Sequence, residues 1–138
     1  MIIIPPNEQA GPSGKTGSQF TGQVSAYLTM ASTDGVTINT VCFAPGARTY
    51  WHSHEKGQVI FVLAGRGLVQ AEGGPAFTLR AGDTVWAPPG ERHWHGATGE
   101  SFIAHTAISL GATSWGEPVS DEEHGVAVTA NSGPEAGR

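Results

Sequence analysis

The sequence predicts an all-β protein, a small antiparallel sandwich or barrel folded as a single domain, and three observations predict it. Glycine (20) and proline (9) are frequent among 138 residues, while charged residues make up only 14%. Short runs rich in Val, Ile, Thr and aromatics are bounded by turn residues, with turns about every 8–12 residues, the texture of sandwiches and barrels. No stretch sustains an amphipathic helical period for more than about two turns.

Composition narrows the function. A net charge of −5 argues against a nucleic-acid partner. One cysteine, Cys42, leaves no internal disulfide and makes a reducing cytoplasm the expected compartment. The opening apolar run, Met1 to Pro6, is too short for a signal peptide and lacks a basic n-region. No apolar run approaches the ~20 residues that span a bilayer, so no membrane is expected as a partner.

Along the chain, Ile2, Ile3 and Ile4 stop at Pro5 and Pro6 and predict an edge strand, one that could pair with another subunit. A mobile, polar, Gly-rich loop is expected over 7–20. It holds Gly11, Gly14, Lys15 and Thr16, which resemble the end of a phosphate-binding loop. Gln9 stands where the first glycine is needed, so the plain loop is preferred. Strands are predicted over 24–30 and 36–43, the latter with Val36, Ile38, Thr40 and Cys42 on one face and Cys42 as a small buried residue. Extended chain follows over 50–54, then a strand over 58–64. Gly65, Arg66 and Gly67 predict a hairpin into 68–72, with further strands at 76–79, 84–87 and 101–110. Ser120 and Glu123 suggest one capped helical turn. The barrel core is placed at about 20–110 and a mobile tail at 129–138.

The chemistry concentrates in 46–97. Side chains two apart on a strand point the same way, so His52 and His54 project together. Gln58 opens the next strand after a three-residue turn, and His93 follows the break at Pro88, Pro89 and Gly90. Imidazoles suit Zn, Cu, Fe, Ni, Co or Mn, and three or four protein ligands leave positions open for substrate. A His-x-His pair alone arises by chance. The full spacing is more specific: Gly46, five residues, His52, one, His54, three, Gln58, six, Gly65; then Gly82, five, Pro88, one, Gly90, two, His93.

That spacing resembles the two signature motifs of the cupin superfamily, small double-stranded, jelly-roll-like β-barrels that hold a metal inside. The chain departs from it at Gln58, where a Glu is usual, and at Ala97, where an Asn is common. A narrower likeness, through Thr49, Trp51, His52, His54, Gln58, Trp86, His93, His95 and His105, is to the bacterial manganese-dependent cupin hydroxynitrile lyases. The resemblance implies a divalent ion (Mn first; Fe, Zn, Ni or Co as alternatives) held by His52, His54, Gln58 and His93. A neutral amide leaves the ion one charge more positive than a carboxylate would, favouring Lewis-acid over oxygen chemistry. The other reading of Gln58 is a side chain packed beside three histidines.

His105, His95 and Thr49 are the catalytic candidates: the histidines to move a proton, the threonine to present its hydroxyl to a small-molecule substrate. For each histidine the alternative is a core side chain bonded to backbone. Trp51 and Trp94 are expected to face away from the metal, Trp86 to line the pocket or to pack, Arg48 to be structural or to anchor an acid, and His124 to be solvated. The expected activity is cleavage of a cyanohydrin to an aldehyde and HCN, and the reverse, by a homodimer or higher homo-oligomer. The alternatives are an Fe(II) dioxygenase, a decarboxylase or isomerase on a small organic acid or sugar, and a non-enzymatic ligand-binding protein.

Overall fold

The computed structural model describes residues 1–9, 12–15 and 19–131. After a short 3-10 turn (Pro6–Glu8), these hold twelve strands and one α-helix in order: β1 (Pro12–Lys15), β2 (Phe20–Thr21), β3 (Val24–Thr33), β4 (Val36–Phe43), β5 (Arg48–Thr49), β6 (His52–His54), β7 (Gln58–Ala71), β8 (Ala76–Arg80), β9 (Thr84–Ala87), β10 (His93–Ala97), β11 (Ile103–Leu110), β12 (Thr113–Trp115) and α1 (Asp121–Ala130). All pairings are antiparallel. One face of the barrel is β1-β3-β4-β11 with the first half of β7 and β9. The other is the second half of β7 with β8, β10, β5, β6, β2 and β12.

β7 joins the two faces, and it corrects the sequence reading. Gly65, Arg66 and Gly67 do not turn a hairpin; the strand runs unbroken through them. The register against β11 slips between Ala104 and His105, where Leu63 is the extra residue. A bulge of one residue exchanges the two faces of a strand. Before it, Gln58, Ile60 and Val62 are buried; after it, Val69 turns inward while Leu68 is buried on the outer side. The glycines are there for approach. A Cβ on Gly65, whose φ is +80°, would sit 2.0 Å from the Phe102 carbonyl oxygen, and one on Gly67 would meet the Gly96 oxygen at 2.4 Å.

Two cores result. Inside the barrel, Val24, Val41, Phe43, Val62, Leu79 and Ile103 pack together. Outside the second face, Trp51, Leu68, Trp94, Val119 and Ala127 pack beneath α1. Trp51 and Trp94 thus turn away from the barrel interior, as their neighbours in sequence turn into it. Arg48, buried, ties this layer down: its Nε and Nη2 donate to Val119 O at 3.1 and 2.8 Å, and its Nη2 meets Asp121 Oδ1 at 2.7 Å.

Several expectations from sequence are revised. Residues 2–4 form no strand; Ile2 and Ile3 are 68% and 80% exposed, with no pairing strand among the described residues. Within the expected loop 7–20, Pro12–Lys15 pairs with β3, its edge position asking little of propensity, and residues 10, 11 and 16–18 lie outside the described ones. The capping box of Ser120 and Glu123 is present, but it starts a ten-residue helix rather than one turn. That helix reaches into the expected tail, and Asn131 Nδ2 donates to Ala76 O, so only 132–138 fall outside the described residues. His124 is not solvated. The helix buries it against Trp94, with Nε2 donating to Ala97 O at 2.8 Å. Cys42 is half-buried on the outward face of β4, while Val41 and Phe43 turn inward. Trp86 is 53% exposed and covers Gly57 rather than lining the cavity.

Candidate metal centre

The register of four strands lays out the site. His93 on β10 pairs with Ala71 on β7 and with His52 on β6, and His52 pairs with Trp115 on β12. One row therefore runs Ala71, His93, His52, Trp115, with side chains pointing into the barrel. His54, two residues on, shares the inward face opposite Thr113, whose Oγ1 lies 3.1 Å from His54 Nδ1. Gly57, with φ +97°, turns the chain so that Gln58 enters from the opposite face. His95 follows His93 with the same parity. His105 comes from β11, on the same inward face as Ile103 and Ala107.

His52, His54, Gln58, His95 and His105 line one cavity of about 190 Å³, together with Thr37, Asn39, Val41, Phe43, Ser109, Thr113 and Trp115. Thr49 lines it too, but its hydroxyl already accepts from the His95 backbone N–H at 3.2 Å.

The hydrogen bonds decide what this cluster can hold. His52 Nδ1 lies 2.8 Å from Tyr50 O and His93 Nδ1 lies 2.9 Å from Glu91 O. Carbonyls only accept, so both rings donate from Nδ1 and each neutral ring keeps its lone pair on Nε2. Gln58 Nε2 lies 3.1 Å from Ser109 Oγ, and its Oε1 lies 3.0 Å from His93 Nε2. With the amide turned this way, two acceptors face each other with no proton between them. His54 Nε2 and His95 Nε2 are buried with no partner at all. Convergent lone pairs in a buried pocket are what a cation requires, so the residues present fit a divalent metal.

Electrostatics keep the rings neutral. Burial, reinforced by His93, lowers the His52 pKa to about 3 and the His54 pKa to about 4. Burial also lowers His93, takes His95 well below its usual value and lowers His105 to about 4. Neutral imidazole is the ligand form.

Two ligand sets are present. Ring nitrogens of His52, His93 and His95 all lie within 4.8 Å of one another. The set named from sequence has His54 and Gln58 in place of His95; the His54 ring stands 5.0 Å from that of His52 and 5.6 Å from that of His93. His95 belongs to two groups: its Nδ1 lies 3.0 Å from His105 Nε2, forming a buried pair, while its Nε2 has no partner.

Sequence reasoning missed Trp115, Thr113, Ser109 and Asn39. Trp115 and Thr113 share parity on a strand just after Gly111, the same signal that marks His52 and His54. Asn39, with Thr37, is a polar member of the face carrying Val41 and Phe43.

Comparison with known proteins agrees with this architecture. The cupin domain family profile matches residues 39–108. An (R)-mandelonitrile lyase of Granulicella tundricola is 41% identical over 111 residues, covering 76% of this chain and 85% of that protein. A cupin-like protein of Thermotoga maritima superposes with a TM-score of 0.81 at 37% identity, over 83% of this chain and 92% of that one. A predicted oxalate decarboxylase of the same organism, at 19% identity and a TM-score of 0.68 over 80% of this chain and 100% of that one, shares the fold.

Proposed function

We propose, from the premise that this chain belongs to the cupin domain family, that it is a metal-dependent lyase acting on a small hydroxy or carbonyl compound. Its reaction is cleavage of a cyanohydrin to an aldehyde and HCN, and the reverse addition. One observation carries the reading: a cluster of convergent acceptors and a separate buried histidine pair open on the same cavity. The name of the 41% identical relative supports the reaction class.

His52, His54, Gln58 and His93 would hold a divalent ion, manganese first among candidates. When bound, such an ion supplies Lewis-acid stabilisation of negative charge on the substrate oxygen. The proton belongs to the His95–His105 pair. Both rings are neutral near pH 7, and one proton lies between Nε2 of His105 and Nδ1 of His95. Whichever ring donates it, the pair presents one free lone pair at an end, His105 Nδ1 or His95 Nε2, neither of which has a protein partner. That end takes the cyanohydrin hydroxyl proton as the carbon–carbon bond breaks. The departing cyanide then carries the same proton away as HCN, restoring the neutral pair. Burial makes the protonated pair a strong acid, suited to returning it. Thr49 acts by holding the His95 backbone. We further place the chain as a cytoplasmic homodimer or higher homo-oligomer. Supporting this, Ile2, Ile3, Phe61, Leu63, Trp86 and Phe102 stand exposed on the single chain.

The test is elemental analysis of protein purified without added metal, followed by mandelonitrile cleavage with and without chelator. Activity that vanishes on chelation and returns with Mn²⁺ is expected. Cleavage surviving complete metal removal overturns the proposal.

A further inference from the structure

Asn39 stands in the rung between those of His105 and Ser109, paired with Ala107 on β11 and Leu28 on β3. Its side chain lines the histidine cavity, and its Oδ1 is buried without a hydrogen-bond partner. A buried amide oxygen left unpaired in a native interior is rare and calls for a ligand atom to complete it. Its setting is polar on one side only. Thr37 and Ser109 pair in the next rung, and Ser109 Oγ accepts from Gln58 Nε2, leaving its own proton to give. Phe20, Phe43 and Trp115 make the facing walls apolar. Asn39 belongs neither to the acceptor cluster nor to the histidine pair, and no residue of either bonds its Oδ1.

We propose that Asn39 accepts a hydrogen bond from a second polar group of the substrate, a hydroxyl away from the reacting carbon. The substrates this pocket selects are then small hydroxylated aldehydes and their cyanohydrins rather than plain hydrocarbon ones. A hydroxyl both donates and accepts, so it completes the carboxamide whichever way the amide is turned. The inference rests on the lyase reading for the word aldehyde, but not for the contact itself.

Two measurements on the manganese-loaded protein test it. In the first, kcat/KM for HCN addition is compared within the pairs glycolaldehyde and acetaldehyde, 3-hydroxypropanal and propanal, and 3-hydroxybenzaldehyde and benzaldehyde. The hydroxylated member is expected to be preferred by about tenfold or more in at least one pair, since a site built to bond a hydroxyl rejects the analogue lacking it. Asn39→Leu, close in size and apolar, is expected to collapse that ratio toward one; Asn39→Ala repeats the measurement if the leucine variant folds poorly. In the second, ligand-observed NMR compares binding of 3-hydroxybenzyl and benzyl alcohol, which do not react. Preference for the diol in the native chain, lost in the variant, is expected. Discriminating binding without turnover overturns the lyase reading and leaves the Asn39 contact standing. Turnover and binding that ignore the hydroxyl, or a preference unchanged in the variant, overturn the Asn39 proposal alone.

Discussion

The barrel interior has two halves built from the same strands. Toward one end, Val24, Phe43, Val62, Leu79 and Ile103 fill the space with hydrocarbon. Toward the other, His52, His54, Gln58, His93, His95 and His105 fill it with imidazole and amide. β4, β7, β10 and β11 contribute to both: Phe43 and Asn39 share one strand face, as do Ile103 and His105. The apolar half has no unmet bond to make. In the polar half, buried nitrogens of His54, His95 and His105 and the Asn39 oxygen have no partner. Each such atom costs stability, on the order of 1–3 kcal/mol. One half of the barrel therefore holds the fold together, and the other spends part of that stability on being ready for a ligand.

Separating stability from activity across this divide breaks or sharpens the comparison. The largest effect belongs to His93→Ala. Metal content and cleavage should fall to background while circular dichroism shows the metal-free chain still folded; a variant that keeps its metal would favour a centre without His93. His105→Ala should retain metal by elemental analysis yet lose about 10²–10⁴-fold in kcat, the scale of general acid–base catalysis. Acid should unfold the chelated protein early. The unfolded histidines take protons near pH 6.5, whereas His52, His54 and His105 stay neutral in the fold down to about 3 to 4. Across that window the unfolded state binds more protons, so stability should fall as pH falls, and urea midpoints taken between pH 7 and 4 will show it. In the apolar half, Leu79→Ala should lower stability by about 2–5 kcal/mol with kcat of the folded fraction preserved. Smallest is Ser120→Ala, which removes the cap of α1, costs about 1 kcal/mol in a thermal melt and leaves the metal content alone.

Much of this was legible in the sequence, for reasons that differ by residue. Alternation marked β4 as a strand, because its side chains repeat every two residues, but the inward face is that of Val41 and Phe43 rather than that of Cys42. The His52–His54 parity placed both rings on one face. What escaped depended on contacts between distant strands. Gly65 and Gly67 read as a turn because glycine usually marks one; here they let the Phe102 and Gly96 backbones come close, a need that arises only once the barrel closes. Ile2, Ile3 and Ile4 have strand propensity but no partner strand among the described residues. His124 looked solvated in an acidic segment, and became buried when α1 folded over Trp94. Asn39 and Trp115 were silent because membership of a cavity is set by curvature, which no local pattern encodes.

Trp115 carries one more consequence. Its indole ring lies 4.7 Å from the His52 imidazole, tilted by 31°. Trp51 and Trp94 sit behind the second face and Trp86 lies on the outside. Of the four tryptophans, Trp115 is the one that shares the cavity. A paramagnetic ion or a protonated imidazole at His52 would quench its fluorescence by contact, while the other three supply a steady background. The molecule thus carries its own optical gauge of the site, readable in real time without a label, a chromogenic substrate or turnover.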